Sequence, residues 1–139
     1  QAQTRGFNML VDIAALGLPY QATGVATTRK FIRERTDTVR RYIKAHIEAV
    51  HRFKTDRETS MRVLAKSLAL SDKQLLERTY DGAIAEHKLP AKQYPTLEGL
   101  KTILASDPKA KAAKAEDFVD LRFIKELDDN GYIDNLYKR

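Results

Sequence analysis

Cysteine is absent from this chain of 139 residues. That excludes a disulfide framework, thiolate metal sites and a cysteine nucleophile. No apolar run approaches the roughly 18 residues needed to cross a bilayer as a helix. Glycine is scarce, at six, and no glycines cluster into a phosphate-cradling loop: Gly24 stands alone, and Gly82, Gly99 and Gly131 fall within or after helical patterns. The first residues, Gln1 to Gly6, lack the apolar core of a signal peptide. No nucleophile-elbow context surrounds Ser60, Ser67, Ser71 or Ser106.

What is present fits a soluble globular protein of about one domain. The hydrophobic fraction is 42% and the charged fraction 32%, which argues against disorder. The formal net charge of +6 is modest, because 19 acidic residues are interleaved with 25 basic ones. The densest basic cluster is Arg29, Lys30, Arg33, Arg35, Arg40 and Arg41. A solvated helix face explains it better than a nucleic-acid patch.

Phe7–Ile13 is a short apolar run and reads as a buried strand or the start of a helix. Gly17-Leu18-Pro19-Tyr20 breaks the chain, and Gln21–Thr28, rich in small and β-branched residues, reads as an extended strand or crossing segment. From there the pattern is helical. Val39, Tyr42, Ile43, His46, Ile47, Val50 and Phe53 form one stripe at three- and four-residue steps. Thr55–Glu58 and Ser71–Gln74 read as capping boxes. The first opens a helix with Met61, Leu64, Ala65 and Leu68 inward, the second one with Leu75, Leu76, Tyr80, Ala83, Ile84 and His87. Thr96 caps a helix carrying Leu97, Leu100, Ile103 and Leu104. Lys109–Ala115 reads as a linker or a solvated turn. The last helix points Phe118, Leu121 and Ile124 inward, with Phe123 and Leu127 as further candidates, and Asn130-Gly131 marks a left-handed stop.

Catalytic and metal chemistry find little support, and no cofactor is expected. His46 and His51 are five apart and do not share a helix face, while His87 has no partner at ligand spacing. Glu116, Asp117, Asp128 and Asp129 read as exposed acids, and Asp120 as structural. No nucleophile, base and orienter assemble, so an enzyme is not expected. Tyr20, Thr23, Thr27 and Thr28 differ: they place hydrogen-bonding groups on what reads as an extended segment between apolar regions, where small-ligand clefts form. The competing reading is that Thr27 or Thr28 merely caps the next helix.

Three stretches carry a likeness: Gly24 to Ala45 (GVATTRKFIRERTDTVRRYIKA), His51 to Asp56, and Glu116 to Leu127 followed by Asn130-Gly131. Their order and spacing resemble the solute-binding proteins of ABC importers for alkanesulfonate, taurine, nitrate and thiamine-pyrimidine precursors, over nearly the whole chain. The resemblance implies the C-terminal part of a two-lobe, type II periplasmic-binding fold. In that arrangement residues 1–28 end the second lobe and return across it, and residues 29–139 form the helical rear of the first. The implied fold class is α/β and helix-rich, with one or two short strands followed by about five helices. The implied function is capture of a small anionic or heteroaromatic solute for a membrane permease, on the periplasmic side. Ligand-binding residues carried over are Tyr20, Gln21, Thr23 and Thr27. Helical stripes shaped to cover a sheet outside this chain would also favour self-association. The rival expectation is a basic helical module that binds nucleic acid or a protein through Arg29, Lys30, Arg33, Arg40 and Arg41.

Overall fold

The computed structural model describes residues 6–8, 10–11, 16–86, 89–110 and 112–138. Among these residues the chain is all-α, with no strand, which corrects the expected α/β class. Phe7, Leu10 and Val11 are exposed and carry no strand; Met9, Asp12 and Ile13 lie outside the described residues. Gln21–Thr28 is irregular rather than a crossing strand. The physical reason is the lack of a ladder: a strand exists through backbone hydrogen bonds to its neighbour, and among the described residues the segment forms none of these.

Helices occupy α1 (Arg29–Glu34), α2 (Thr36–Thr55), α3 (Arg57–Ser67), α4 (Lys73–Asp81), α5 (Leu97–Ser106), α6 (Arg122–Asp129) and α7 (Tyr132–Leu136). A π-helical stretch, Gly82–Glu86, continues α4, and a 3-10 turn, Ala115–Phe118, precedes α6. These elements fall into two compact units. One comprises Gln1–Arg29 and Tyr94–Leu121, the other Lys30–Gln93 and Arg122–Arg139.

The second unit is organised on α2. Its stripe buries Ile47 and Val50 and half-buries Val39, Ile43, His46 and Phe53, while Tyr42 stays exposed. Ile47 packs with Ile124 and Leu127 of α6 and Ile133 of α7 into the core, flanked by Ile43, Tyr132, Leu136 and Tyr137. Gly131 makes the α6–α7 corner possible: its φ is 72°, a left-handed conformation that glycine adopts without steric cost, as Asn130-Gly131 foretold. The other end of α2 breaks at Asp56 (φ −116°, ψ 81°), whose carboxylate accepts from the Thr59 amide at 3.0 Å and starts α3. Asp72 starts α4 in the same way, accepting from Leu75. Both caps fall one residue after the expected Thr55 and Ser71; Thr55 instead ends α2 and returns its hydroxyl to the His51 carbonyl. In α3 the buried residue is Ser60, and Leu68 is exposed rather than inward. Leu76 and Tyr80 of α4 are buried as the pattern required, and His87 lies outside the described residues.

In the first unit α5 packs against the Ala115–Phe118 turn, where Ala115 is buried. The final helix is shorter than its pattern suggested. Val119 is extended (φ −120°, ψ 143°), so the helical run from Glu116 splits, and Phe118 is left exposed while Phe123, Ile124 and Leu127 take the buried positions. A β-branched residue at the split is well suited to extended backbone.

Candidate functional site

The segment from Leu18 to Thr28 is irregular, forms no ladder among the described residues and yet is held at two points, both within the first unit. At one end Gln21 reaches the start of α5. Its side-chain oxygen accepts from the Thr96 backbone amide at 2.8 Å, and its side-chain amide donates to the Thr23 carbonyl. At the other end the Arg29 guanidinium donates to the Asp117 carbonyl at 2.7 Å, beside the 3-10 turn.

The α5 end is built around a glycine. Thr96 is the N-cap, and its hydroxyl accepts from the Gly99 amide at 2.9 Å. A Cβ on Gly99 would lie 2.5 Å from the Gln21 nitrogen and 2.8 Å from the Tyr20 carbonyl carbon, well inside the ~3.5–4.0 Å of ordinary contact. Only a residue without a side chain allows the backbone of residues 20–21 to lie this close to the helix.

The four residues singled out from the sequence therefore behave differently. Gln21 is half-buried and turned to α5, and the structure brings it together with Thr23, whose carbonyl it holds. Tyr20 touches the Gly99 site through its backbone and exposes its ring, at 61%. Thr23 and Thr27 are exposed. Leu18 and Val25 are also exposed, at 64% and 54%, so the segment carries both hydroxyl-bearing and apolar side chains. Small-solute sites combine apolar lining with a few polar groups.

Sequence reasoning missed Gly99 and Arg29 as the residues that hold this wall. A signal existed in Thr96-Leu-Glu-Gly99: a glycine three residues after the cap removes the side chain that would complete a capping box.

The remaining candidates are engaged elsewhere. His46 stacks parallel to Tyr42, and His51 meets the Tyr137 ring edge-on. Among the described residues no three His, Asp or Glu side chains converge to hold a metal ion. In the basic cluster, Lys30 pairs with Glu34, and Arg40 with both Asp37 and Glu126. Asp128 and Asp134 both accept from Lys92, and these two bonds, Asp128 first, raise the Lys92 ammonium above its ordinary pKa. Glu98 raises Lys101 in the same sense, chiefly by its hydrogen bond. Burial raises the Tyr137 phenol, whose hydroxyl has no hydrogen-bond partner among the described residues. No helix among the described residues is long and apolar enough to cross a membrane.

The chain matches no family model, no curated protein and no solved structure.

Proposed function

We propose that this chain is part of a solute-binding component of an ABC importer, and that residues 18–28 supply part of the wall that holds a small anionic or heteroaromatic solute. The observation that carries the reading is the clamped, ladderless segment. It is fixed at Gln21 and at Arg29, and between and beside these ties it exposes Tyr20, Thr23 and Thr27 together with Leu18 and Val25. The resemblance of Gly24–Ala45, His51–Asp56 and Glu116–Leu127 with Asn130-Gly131 to importer binding proteins is what suggests the importer. The apolar exposure of the first unit also supports the reading: Phe7, Leu10, Val11, Leu16 and Leu18 all face outward, Leu10 at 95%. Surface of that kind calls for a covering partner. Capture needs no bond to be made or broken; the permease and a periplasmic location follow from the same reading.

Isothermal titration of the complete gene product with taurine, methanesulfonate, nitrate and an aminopyrimidine tests it. Binding of one of these, weakened about tenfold or more by Tyr20→Ala or Thr23→Ala, is expected, since a lost buried hydrogen bond costs about 1–3 kcal/mol. Heat from none of the four would remove the reading.

The rival, a basic module for nucleic acid, needs cations open to phosphate. Arg40 is shared by two carboxylates and Lys30 faces Glu34, so these two cations exert less pull than the composition suggests. Duplex affinity falling steeply between low and moderate salt would favour it instead.

A further inference from the structure

We infer that Gln21 is a positioning residue, a remote half of the α5 helix cap that sets where the 18–28 wall stands, and not a contact to the solute. The inference deepens the solute-binding reading and rests on it for its functional meaning.

In a capping box, the N-cap hydroxyl accepts from the amide three residues on, and a Glu or Gln at that third position reaches back to the N-cap amide. In α5 the first half is present: Thr96 accepts from Gly99. The third position, however, is Gly99, which has no side chain to return. The Thr96 amide is instead satisfied by the carboxamide oxygen of Gln21, 75 residues earlier in the chain. The two facts explain each other. Gly99 leaves room for the backbone of Tyr20 and Gln21 to lie against the helix, and that proximity puts the Gln21 side chain within reach of the amide that a glycine cannot serve. The other end of the same carboxamide donates to the Thr23 carbonyl, so one side chain fixes both the docking of the segment and the course of its next residues. With its oxygen and its nitrogen each tied to backbone, the Gln21 carboxamide is fixed in place by the chain itself. The exposed hydroxyls of Tyr20, Thr23 and Thr27 are the groups it places.

Amide hydrogen exchange on the chain, resolved by residue, decides the matter. Gln21→Ala is expected to raise exchange about tenfold at Thr96, with amides in the later turns of α5 unchanged. Gly99→Ala, whose new methyl would displace residues 20–21, should reproduce the pattern. Gln21→Glu keeps the acceptor for the Thr96 amide, and its charge suits a helix N-terminus, so it should restore protection at Thr96. No rise at Thr96 with Gln21→Ala, or no rescue there by Gln21→Glu, overturns the inference. The second arm uses whichever of taurine, methanesulfonate, nitrate or the aminopyrimidine binds the complete gene product. Gly99→Ala and Gln21→Ala should weaken it alike, by about tenfold, because both lower the fraction of molecules with the wall in place. Loss with Gln21→Ala but not with Gly99→Ala makes Gln21 a direct contact and overturns the inference. If none of the four binds, the function falls while the exchange arm still judges the latch.

Discussion

The Tyr80 hydroxyl donates to the backbone carbonyl of Phe53 at 2.9 Å, and the Tyr80 ring lies tilted against the Phe53 ring with centroids 5.1 Å apart. The bond has a cause in the helix that Phe53 belongs to. Helix α2 stops at Thr55, so its last carbonyls lose their intrahelical donors. Buried Ser60 reaches the same Phe53 carbonyl from α3 at 3.2 Å. A single helix end is thus served by side chains from the two helices that follow it, and α2, α3 and α4 are joined at one atom.

Tyr80→Phe keeps the ring contact and removes the hydroxyl. A loss of about 1 kcal/mol in urea unfolding is expected, the usual net worth of one hydrogen bond. Ser60→Ala should cost less while Tyr80 remains, and the double variant more than the sum, because the carbonyl is then left with neither donor. Strict additivity would show that the two bonds act independently.

Ile47 and Ile133 are the two most deeply buried large side chains, at 1% and 0% exposure, and they share one cluster. Truncation of either to alanine should cost about 2–5 kcal/mol, and Ile133→Val about 0.5–1.5 kcal/mol. Tyr42→Ala, at an exposed position of the same α2 stripe, should stay within about 0.5 kcal/mol. Equal losses for Tyr42 and Ile133 would mean that the core is not centred on the α2–α6–α7 contact.

Much of this helical arrangement was legible in the residues. The i, i+3, i+4 stripe of α2, the Thr96 cap and the Asn130-Gly131 stop report local physics that tertiary packing left alone. The caps of α3 and α4 were displaced by one residue because Thr55-Asp56 and Ser71-Asp72 each offer two capping side chains in a row, and the aspartate was used both times. The strands were misread for a different reason. β-Branched composition in Gln21–Thr28 suggests a strand, but a strand also requires a hydrogen-bonded neighbour, which composition does not encode, and the segment is irregular. The latch on the candidate site was the least visible part, since Gln21 and Thr96 meet across 75 residues and neither belongs to a recognisable pair in one dimension.

Exposure of Phe7, Leu10, Val11, Leu16, Leu18 and Val25 in the first unit sets an expectation for solution behaviour. Apolar patches beyond a few hundred Å² tend to be covered by association. Sedimentation velocity of this chain should therefore show mass rising with concentration, and Leu10→Ser with Leu18→Ser should shift it toward the monomer. A monomer at all concentrations, with no binding of an apolar dye, would contradict this.

At the acid end, Asp56 is the group to watch. The Thr59 amide, and then Arg52, hold its carboxyl below its ordinary pKa. A depressed carboxylate stabilises the fold above its unfolded value, about 3.9, and that contribution disappears as pH falls through the folded value. Thermal melts of Asp56→Ala should therefore lie below those of the parent at pH 7 and converge with them below about pH 4. A gap that persists undiminished to pH 2 would show that the carboxylate charge has no part in the cap.

Lys92 governs the opposite end of the pH range. It sits in the connector after Leu89 and bonds Asp128 at the end of α6 and Asp134 in α7, the latter at 3.2 Å, so it ties the connector to the two closing helices. Those bonds raise its pKa. For a cation with a raised folded pKa the sign reverses: the stabilisation is complete below the unfolded value, about 10.4, and is lost as pH climbs through the folded value. Lys92→Met retains most of the aliphatic stem and removes the charge. Its melting temperature should fall below that of the parent by a constant margin from pH 7 to about 10, and the margin should shrink from there to pH 11.5 as the parent's own ammonium deprotonates. Comparing the two proteins at each pH cancels the titration of every other lysine and tyrosine, Tyr137 included. A margin that stays constant to pH 11.5 would mean that Lys92 contributes through its stem alone and that its two ion pairs leave stability unchanged.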